Sequence, residues 1–273
     1  MYDLNQKIVI VTGASRGIGL EIIKGLAAAG ARPYCLDLAQ SDDIRSLGLE
    51  FIECNVADNN SVESAVAHVV DRAGQIDALV NNAGIQGEIC ELINSDVKKW
   101  KASIEVNLFG TYHCSRCVLP HMVKHGRGKI INMSGGGATA PRKYFSSYAA
   151  SKVAIVRLTE TLAVEVAGRG IDVNVIAPGA INTSMLNEVL AVADKVGDDL
   201  LAEALKQRET GGSPVAKTVE LVQFLVSSVS DGITGRLISA VHDDWRSFSP
   251  DKLKGSDWFT LRRVDPYLFT IKR

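Results

Sequence analysis

The sequence contains no run of eighteen apolar residues, which removes a membrane-spanning helix from consideration. It has no excess of either charge: 30 Lys and Arg stand against 31 Asp and Glu, a formal net charge of −1. That balance leaves no electrostatic footprint for a general nucleic-acid or membrane-surface partner. The 5 cysteines (Cys35, Cys54, Cys90, Cys114 and Cys117) are odd in number, and the N-terminus lacks the charged-then-apolar pattern of a secretory leader. Together these argue against a disulfide framework, and the chain is expected to work in a reducing, cytoplasmic compartment. The pair Cys114 and Cys117 has no second CxxC to complete a four-ligand site, and His113 and His121 are not spaced to complete one, so no metal is expected. There is no fixed-period repeat, no low-complexity tract and no composition shift before about residue 242. The expected organisation is one α/β domain over 1–241, followed by an extension over 242–273.

What is present alternates regularly. Short apolar runs (KIVIVTG, ARPYCLD, LEFIECNV, IDALVNNAG, GKIINMSG, IDVNVIAPG and GRLISAV) are separated by stretches with helical 3–4 spacing, among them GIGLEIIKGLAAAG and NNSVESAVAHVVDRAG. Strands that are apolar on both faces and separated by helices predict a parallel sheet covered on both sides. The fold class is α/β: a doubly wound, seven-stranded parallel sheet, Rossmann-like, in a single domain. A single long helix is expected over about 95–125.

The turn VTGASRGIG, residues 11–19, joins the first strand to the first helix. Gly13 can take backbone angles closed to other residues. Gly17 and Gly19 let the chain approach a ligand and let the helix pack on the sheet. The free amides of Ser15, Arg16, Gly17 and Ile18 then face a pyrophosphate. Asp37, eighteen residues after Gly19, ends the second strand. A carboxylate there can accept from the ribose 2′- and 3′-hydroxyls and repel a 2′-phosphate, which favours NAD over NADP. Arg16 pulls the other way, but no cation directly follows Asp37.

Tyr148 and Lys152 are four apart and share a helix face, an arrangement able to move a proton. With TGASRGIG, NNAG at 81–84, Asn107, YAASK at 148–152 and PGAINT at 178–183, the sequence closely resembles the classical short-chain dehydrogenase/reductase family over roughly residues 5–240. The resemblance implies a nicotinamide cofactor, a small-molecule alcohol or ketone substrate, and a homotetramer or homodimer. It implies that Tyr148 is the general acid/base and that Lys152 lowers the phenol's pKa and holds the nicotinamide ribose. Asn107 would support a proton relay. Asn82, Ala83 and Gly84 would pass beside the adenine ribose, and Asn55 with the Val56 backbone would meet the adenine. Pro178 and Gly179 would open a loop whose Ile181 backbone and Thr183 hydroxyl bond the nicotinamide carboxamide. Residues 185–212 would form a lid, here an amphipathic helical stretch.

Two features depart from the family pattern. The family serine stands thirteen places before the tyrosine; here that place is Gly135, and Ser134 stands one earlier. Either the three glycines let the strand end bulge so that Ser134 turns into the site, or Thr139, Ser146, Ser147 or a water substitutes. The bulge is the favoured account. The extension carries Trp245, Trp258, Phe259, Tyr267 and Phe269 and is expected to pack on the domain or on a neighbouring subunit. Arg142 and Lys143, on the loop before Tyr148, are expected to be solvated charges, with an anionic substrate as the alternative. The leading reading is an NAD-dependent secondary-alcohol dehydrogenase or ketone reductase. The alternatives are an inactive NAD(H)-binding sensor or scaffold, and an epimerase or dehydratase with tightly held NAD.

Overall fold

The computed structural model describes residues 2–263. Tyr267 and Phe269 lie outside the described residues. Seven strands form one parallel sheet: β1 (Ile8–Thr12), β2 (Arg32–Asp37), β3 (Glu50–Glu53), β4 (Ala78–Asn81), β5 (Gly128–Met133), β6 (Ile171–Ala177) and β7 (Leu237–Ser239). Their order is β3-β2-β1-β4-β5-β6-β7, and every neighbouring pair is parallel. Each of the five residues of β1 and the four of β4 is buried, because helices cover both faces of the sheet. The winding reverses between β1 and β4, which opens a crevice at the carboxyl ends of these strands.

The helices are α1 (Gly17–Ala28), α2 (Asp42–Ser46), α3 (Asn59–Ala73), α4 (Val97–Ile104), α5 (Gly110–His125), α6 (Ser146–Glu165), α7 (Ser184–Leu190), α8 (Ala193–Val196), α9 (Asp198–Thr210), α10 (Val215–Val226) and α11 (Pro250–Leu253). One apolar layer joins Leu20, Ile23 and Leu26 of α1 to Leu221 and Leu225 of α10. The opposite layer joins Val62, Val66 and Val69 of α3 to Cys114, Val118 and Met122 of α5.

Two expected helices are interrupted. The long helix over 95–125 is α4 and α5 joined by a π-turn at Glu105–Phe109. The cause lies in Asn107, whose amide bonds the backbone of another segment: Nδ2 donates to the Ile85 carbonyl at 2.9 Å and Oδ1 accepts from the Ile85 amide at 2.8 Å. An extra residue in the turn is the way a helix aims such a side chain without breaking its ladder. The lid stretch is three pieces, α7, α8 and α9, rather than one amphipathic helix. The last break falls at Gly197, where a β-carbon would lie 2.5 Å from the Tyr144 hydroxyl and 2.7 Å from an Asp199 carboxylate oxygen. The loop that carries Tyr144 therefore cuts the lid helix.

The extension folds back on the domain. Trp245 is fully buried, its ring centroid 5.5 Å from that of Phe224. Phe248 and Phe259 pack as a tilted pair, their ring centroids 4.5 Å apart at an interplanar angle of 41°. Trp258, against expectation, is 64 % exposed: the tail is held there by its backbone, whose carbonyl accepts from Arg236 at 2.7 Å.

Candidate active site

The crevice at the switch point is a cavity of about 230 Å³. Gly13, Arg16, Gly17 and Ile18 line it from the first turn, and Asp37 from the end of β2. Asn55 and Val56 line it beyond β3, and Asn82, Ala83 and Gly84 beyond β4. Ser134, Tyr148 and Lys152 stand at its inner end, with Pro178 and Thr183 closing it from the loop after β6.

The remaining expected residues shape this cleft from behind. The Ser15 amide donates to the Asp37 carboxylate at 2.8 Å, and its hydroxyl to the Ala39 carbonyl at 2.6 Å. A β-carbon on Gly19 would lie 2.0 Å from the Gly13 carbonyl oxygen, so only glycine lets α1 start this close to β1. Gly179 takes the left-handed φ of 88°, and Ile181 bridges Gly212 at the far side of the lid. Asn107 is fully buried, between Ile85 and the Ser151 hydroxyl, to which its Nδ2 donates at 3.0 Å. The Asn82 side chain ties the segment after β4 to the glycine turn by donating to the Thr12 and Gly13 carbonyls, at 3.0 Å each. Asn55 Oδ1 accepts from the Ala57 amide at 3.1 Å, and a carbonyl oxygen keeps a second lone pair for a ligand.

The chemical groups sit in a dry setting. Lys152 is 4 % exposed and its ammonium donates to the Met133 carbonyl at 2.9 Å. Burial pushes its pKa down to about 8. The Tyr148 phenol is pushed above its ordinary value by burial, opposed by the positive charge of Arg142. The Lys152 ammonium is turned to Met133 and lies 5.4 Å from the centroid of the Tyr148 ring, and burial disfavours its charge.

The strand end shows no bulge. The Ser134 amide donates to the Ile176 carbonyl at 2.8 Å, continuing the β5–β6 ladder. Ser134 nevertheless lines the cleft, and its buried hydroxyl has no hydrogen-bond partner among the described residues. Gly135 faces the phenol: a β-carbon there would lie 2.5 Å from the Tyr148 hydroxyl. Of the other candidate hydroxyls, Thr139 is exposed and Ser146 accepts from the Trp100 indole at 3.0 Å. Ser147 is buried and unpartnered, 2.9 Å from where a β-carbon of Gly87 would stand.

Some lining residues escaped the sequence reading. Met185 and Glu188 reach the cleft from α7, while Leu186 and Val189 of the same helix are buried beneath the lid. Their three-residue spacing was the available signal.

A family profile described as short chain dehydrogenase matches residues 7–193. The chain is 36 % identical over 246 residues to the short-chain reductase protein NovJ of Streptomyces niveus, covering 85 % of this chain and 92 % of that one. It is 35 % identical over 237 residues to the 3-oxoacyl-[acyl-carrier-protein] reductase FabG of Escherichia coli, covering 85 % and 94 %. Among solved structures, levodione reductase superposes with a TM-score of 0.80 at 25 % identity, covering 90 % of this chain and 100 % of that one. NAD+-bound xylitol dehydrogenase superposes with a TM-score of 0.78 at 27 % identity, covering 86 % and 98 %. A gluconate 5-dehydrogenase of Burkholderia cenocepacia, in complex with NADP and tartrate, gives 0.76 at 30 %, covering 86 % and 94 %. The chain belongs to the short-chain dehydrogenase family, and it is an oxidoreductase of that family with a nicotinamide-type cofactor.

Proposed function

We propose that the chain interconverts a secondary alcohol and a ketone with NAD(H). The observation that carries this reading is that one cavity gathers the glycine turn, Asp37, Tyr148, Lys152 and Thr183. The residues fit a dinucleotide. A side chain at Gly17 would project to within 3.6 Å of Thr183 across the cleft, so glycine keeps that span open at the start of α1. Bound there, the nicotinamide would supply or accept a hydride. Tyr148 exchanges a proton with the substrate oxygen, and Ser134 donates its idle hydroxyl to the same oxygen. Lys152 holds the nicotinamide ribose, and Asn107 keeps the backbone at Ile85 in place for a proton relay to solvent. The backbone of Ile181 and the hydroxyl of Thr183 hold the carboxamide.

Asp37 supports NAD rather than NADP. Its carboxylate is fixed by the Ser15 and Leu38 amides, at 2.8 Å each, and Leu38 carries no charge to meet a 2′-phosphate. One solved relative is bound to NAD+ and another to NADP, so the choice rests on this residue. The test is reduced-nicotinamide absorbance with NAD(H) and NADP(H) over a panel of secondary alcohols and ketones. Wild type is expected to favour NAD(H), Asp37→Ala to erode that preference tenfold or more, about 1.4 kcal/mol, and Tyr148→Phe to abolish turnover. Preference for NADP(H) in wild type would reject the assignment of Asp37.

Gly135 favours one second reading, an inactive NAD(H)-binding sensor or scaffold. Dinucleotide binding without turnover across the whole panel would select it. A homodimer or homotetramer has its most suitable surface on α5, the π-turn before it and α6, where Tyr112, Val123, Phe109 and Val164 are exposed; light scattering reads the assembly directly. The free cysteines suit a cytoplasmic setting.

A further inference from the structure

Arg142 stands half-buried in the turn between β5 and α6. Among the described residues its guanidinium enters no ion pair and donates no hydrogen bond. The adjacent Lys143 is engaged: it pairs with Asp199 at 3.3 Å, and Asp199 also accepts from the Tyr144 hydroxyl at 3.1 Å. Arg236, a comparably half-buried arginine, donates to three backbone carbonyls. Arg142 keeps its five N–H donors for something else.

The guanidinium is nonetheless held in place. Its central carbon lies 3.8 Å from the centroid of the Phe145 ring, and Phe145 is 1 % exposed. A planar fork laid on a fixed ring is arranged for a planar or tetrahedral anion. It packs against the glycine turn that follows β5. A β-carbon on Gly135 would meet the Tyr148 hydroxyl at 2.5 Å, and one on Gly136 would meet Arg142 Nη1 at 3.4 Å. Successive α-carbons are about 3.8 Å apart, so the guanidinium and the phenol hydroxyl are within about 13 Å of each other. On the lid, Asp199 is already taken by Lys143 and Tyr144, while Glu188 lines the cleft.

We propose that Arg142 is a substrate-recognition residue that binds a carboxylate or phosphate carried by the ketone or alcohol, several bonds from the reacting carbon. The inference rests on the reading of Tyr148 as the group that meets the substrate oxygen. It replaces the expectation that Arg142 is a solvated surface charge.

The test uses matched ketone pairs: 5-oxohexanoate with its methyl ester, and hydroxyacetone phosphate with hydroxyacetone. The first pair reads a carboxylate and the second a phosphate. In Arg142→Gln the anion-to-neutral ratio of kcat/KM is expected to fall roughly ten- to hundredfold in at least one pair, the loss typical of a hydrogen bond to a charged group. Arg142→Lys is expected to fall between, because it keeps the charge and loses the fork. Calorimetric titration of the same compounds into NAD+-loaded protein, which cannot reduce them, gives a readout independent of turnover. Wild type should bind one anionic member more tightly than its neutral partner, and Arg142→Gln should lose that difference. A ratio unchanged by Arg142→Gln in both pairs, or equal binding of both members by wild type, overturns the proposal. If no ketone turns over in wild type, the proposed activity fails, and the calorimetry alone decides the role of Arg142.

Discussion

A β-carbon at position 135 would lie 2.5 Å from the Tyr148 hydroxyl and 3.2 Å from the ring carbon that bears it. Gly135 is absent from the residues with left-handed φ, so its backbone alone does not require glycine. The neighbouring tyrosine does. The substitution that would restore the family serine therefore pushes on the phenol instead of assisting it. Gly135→Ser is expected to lower kcat by tenfold or more, since a displacement of about 1 Å at a reacting group can cost about a hundredfold. Ser134→Ala is expected to lower kcat by roughly a hundredfold, the usual loss for one oxyanion donor. Steady-state kinetics on both variants decides: a faster Gly135→Ser would show that the tyrosine has room and that Ser134 is not the working hydroxyl. The irregularity at 134–135 is legible in the sequence, but the residue facing the phenol there is not. The reason lies in a contact thirteen residues away, between a position with no side chain and the end of an aromatic one.

At the scale of elements, the extension is tied to the sheet edge more by backbone than by its aromatic side chains. Arg236, just before β7, donates to the carbonyls of Leu253, Ser256 and Trp258 at 2.6, 2.8 and 2.7 Å. The Leu237 amide, on the edge strand itself, donates to the Phe259 carbonyl at 2.7 Å. Further along, the Leu261 amide donates to Glu160 at 2.6 Å, and the Leu261 side chain packs against the cluster of Ala138, Ile155 and Val156. The tail thus covers an edge that would otherwise offer unpaired backbone groups, and it reaches the turn that follows the glycines. Arg236→Ala removes three hydrogen bonds at once and takes the donor from the Ser256 and Trp258 carbonyls, while the Leu253 carbonyl keeps the Ser256 amide and hydroxyl. A cost of about 1–3 kcal/mol is expected. Thermal unfolding should show a lower Tm, and limited proteolysis should cut within 242–263 before it cuts the sheet. Equal protection of that stretch in wild type and variant would show that the aromatic contacts suffice. Trp245 and Phe259 mark the tail in the sequence, but a tie made of carbonyl groups leaves no residue-type signature. The break in the lid is illegible for a related reason: its apolar spacing runs on through Gly197, where the interruption comes from Tyr144.

At the scale of the molecule, the seven strands were legible because a parallel sheet buried on both faces writes continuous apolar runs into the sequence. The cleft was legible only through motifs, since its walls come from Gly13 to Glu188 and no local pattern brings them together. Its energetics were not legible at all: a lysine four beyond a tyrosine reads the same whether it is wet or dry. Here it is dry, 4 % exposed, with one carbonyl as partner. Burial without a counter-charge makes Lys152 a burden on the fold when no ligand is bound. The sign follows from linkage. Its native pKa of about 8 lies below the ordinary 10.5 that the unfolded chain recovers. Below about pH 8 both states carry the charge and the native state bears the full cost. Between about 8 and 10.5 the native lysine is neutral while the unfolded one still holds its proton, so stability rises with pH. The shift corresponds to about 3 kcal/mol, from which about 1 kcal/mol is lost with the Met133 hydrogen bond. Lys152→Met should therefore stabilise the cofactor-free protein at pH 7, raising Tm by roughly 4 °C, while abolishing turnover. The gain should shrink as the pH is raised from 8 toward 10.5. A Lys152→Met variant that melts lower than wild type at pH 7 would mean that the ammonium has a stabilising partner in the folded state, and that the dry lysine is not the cost of the site.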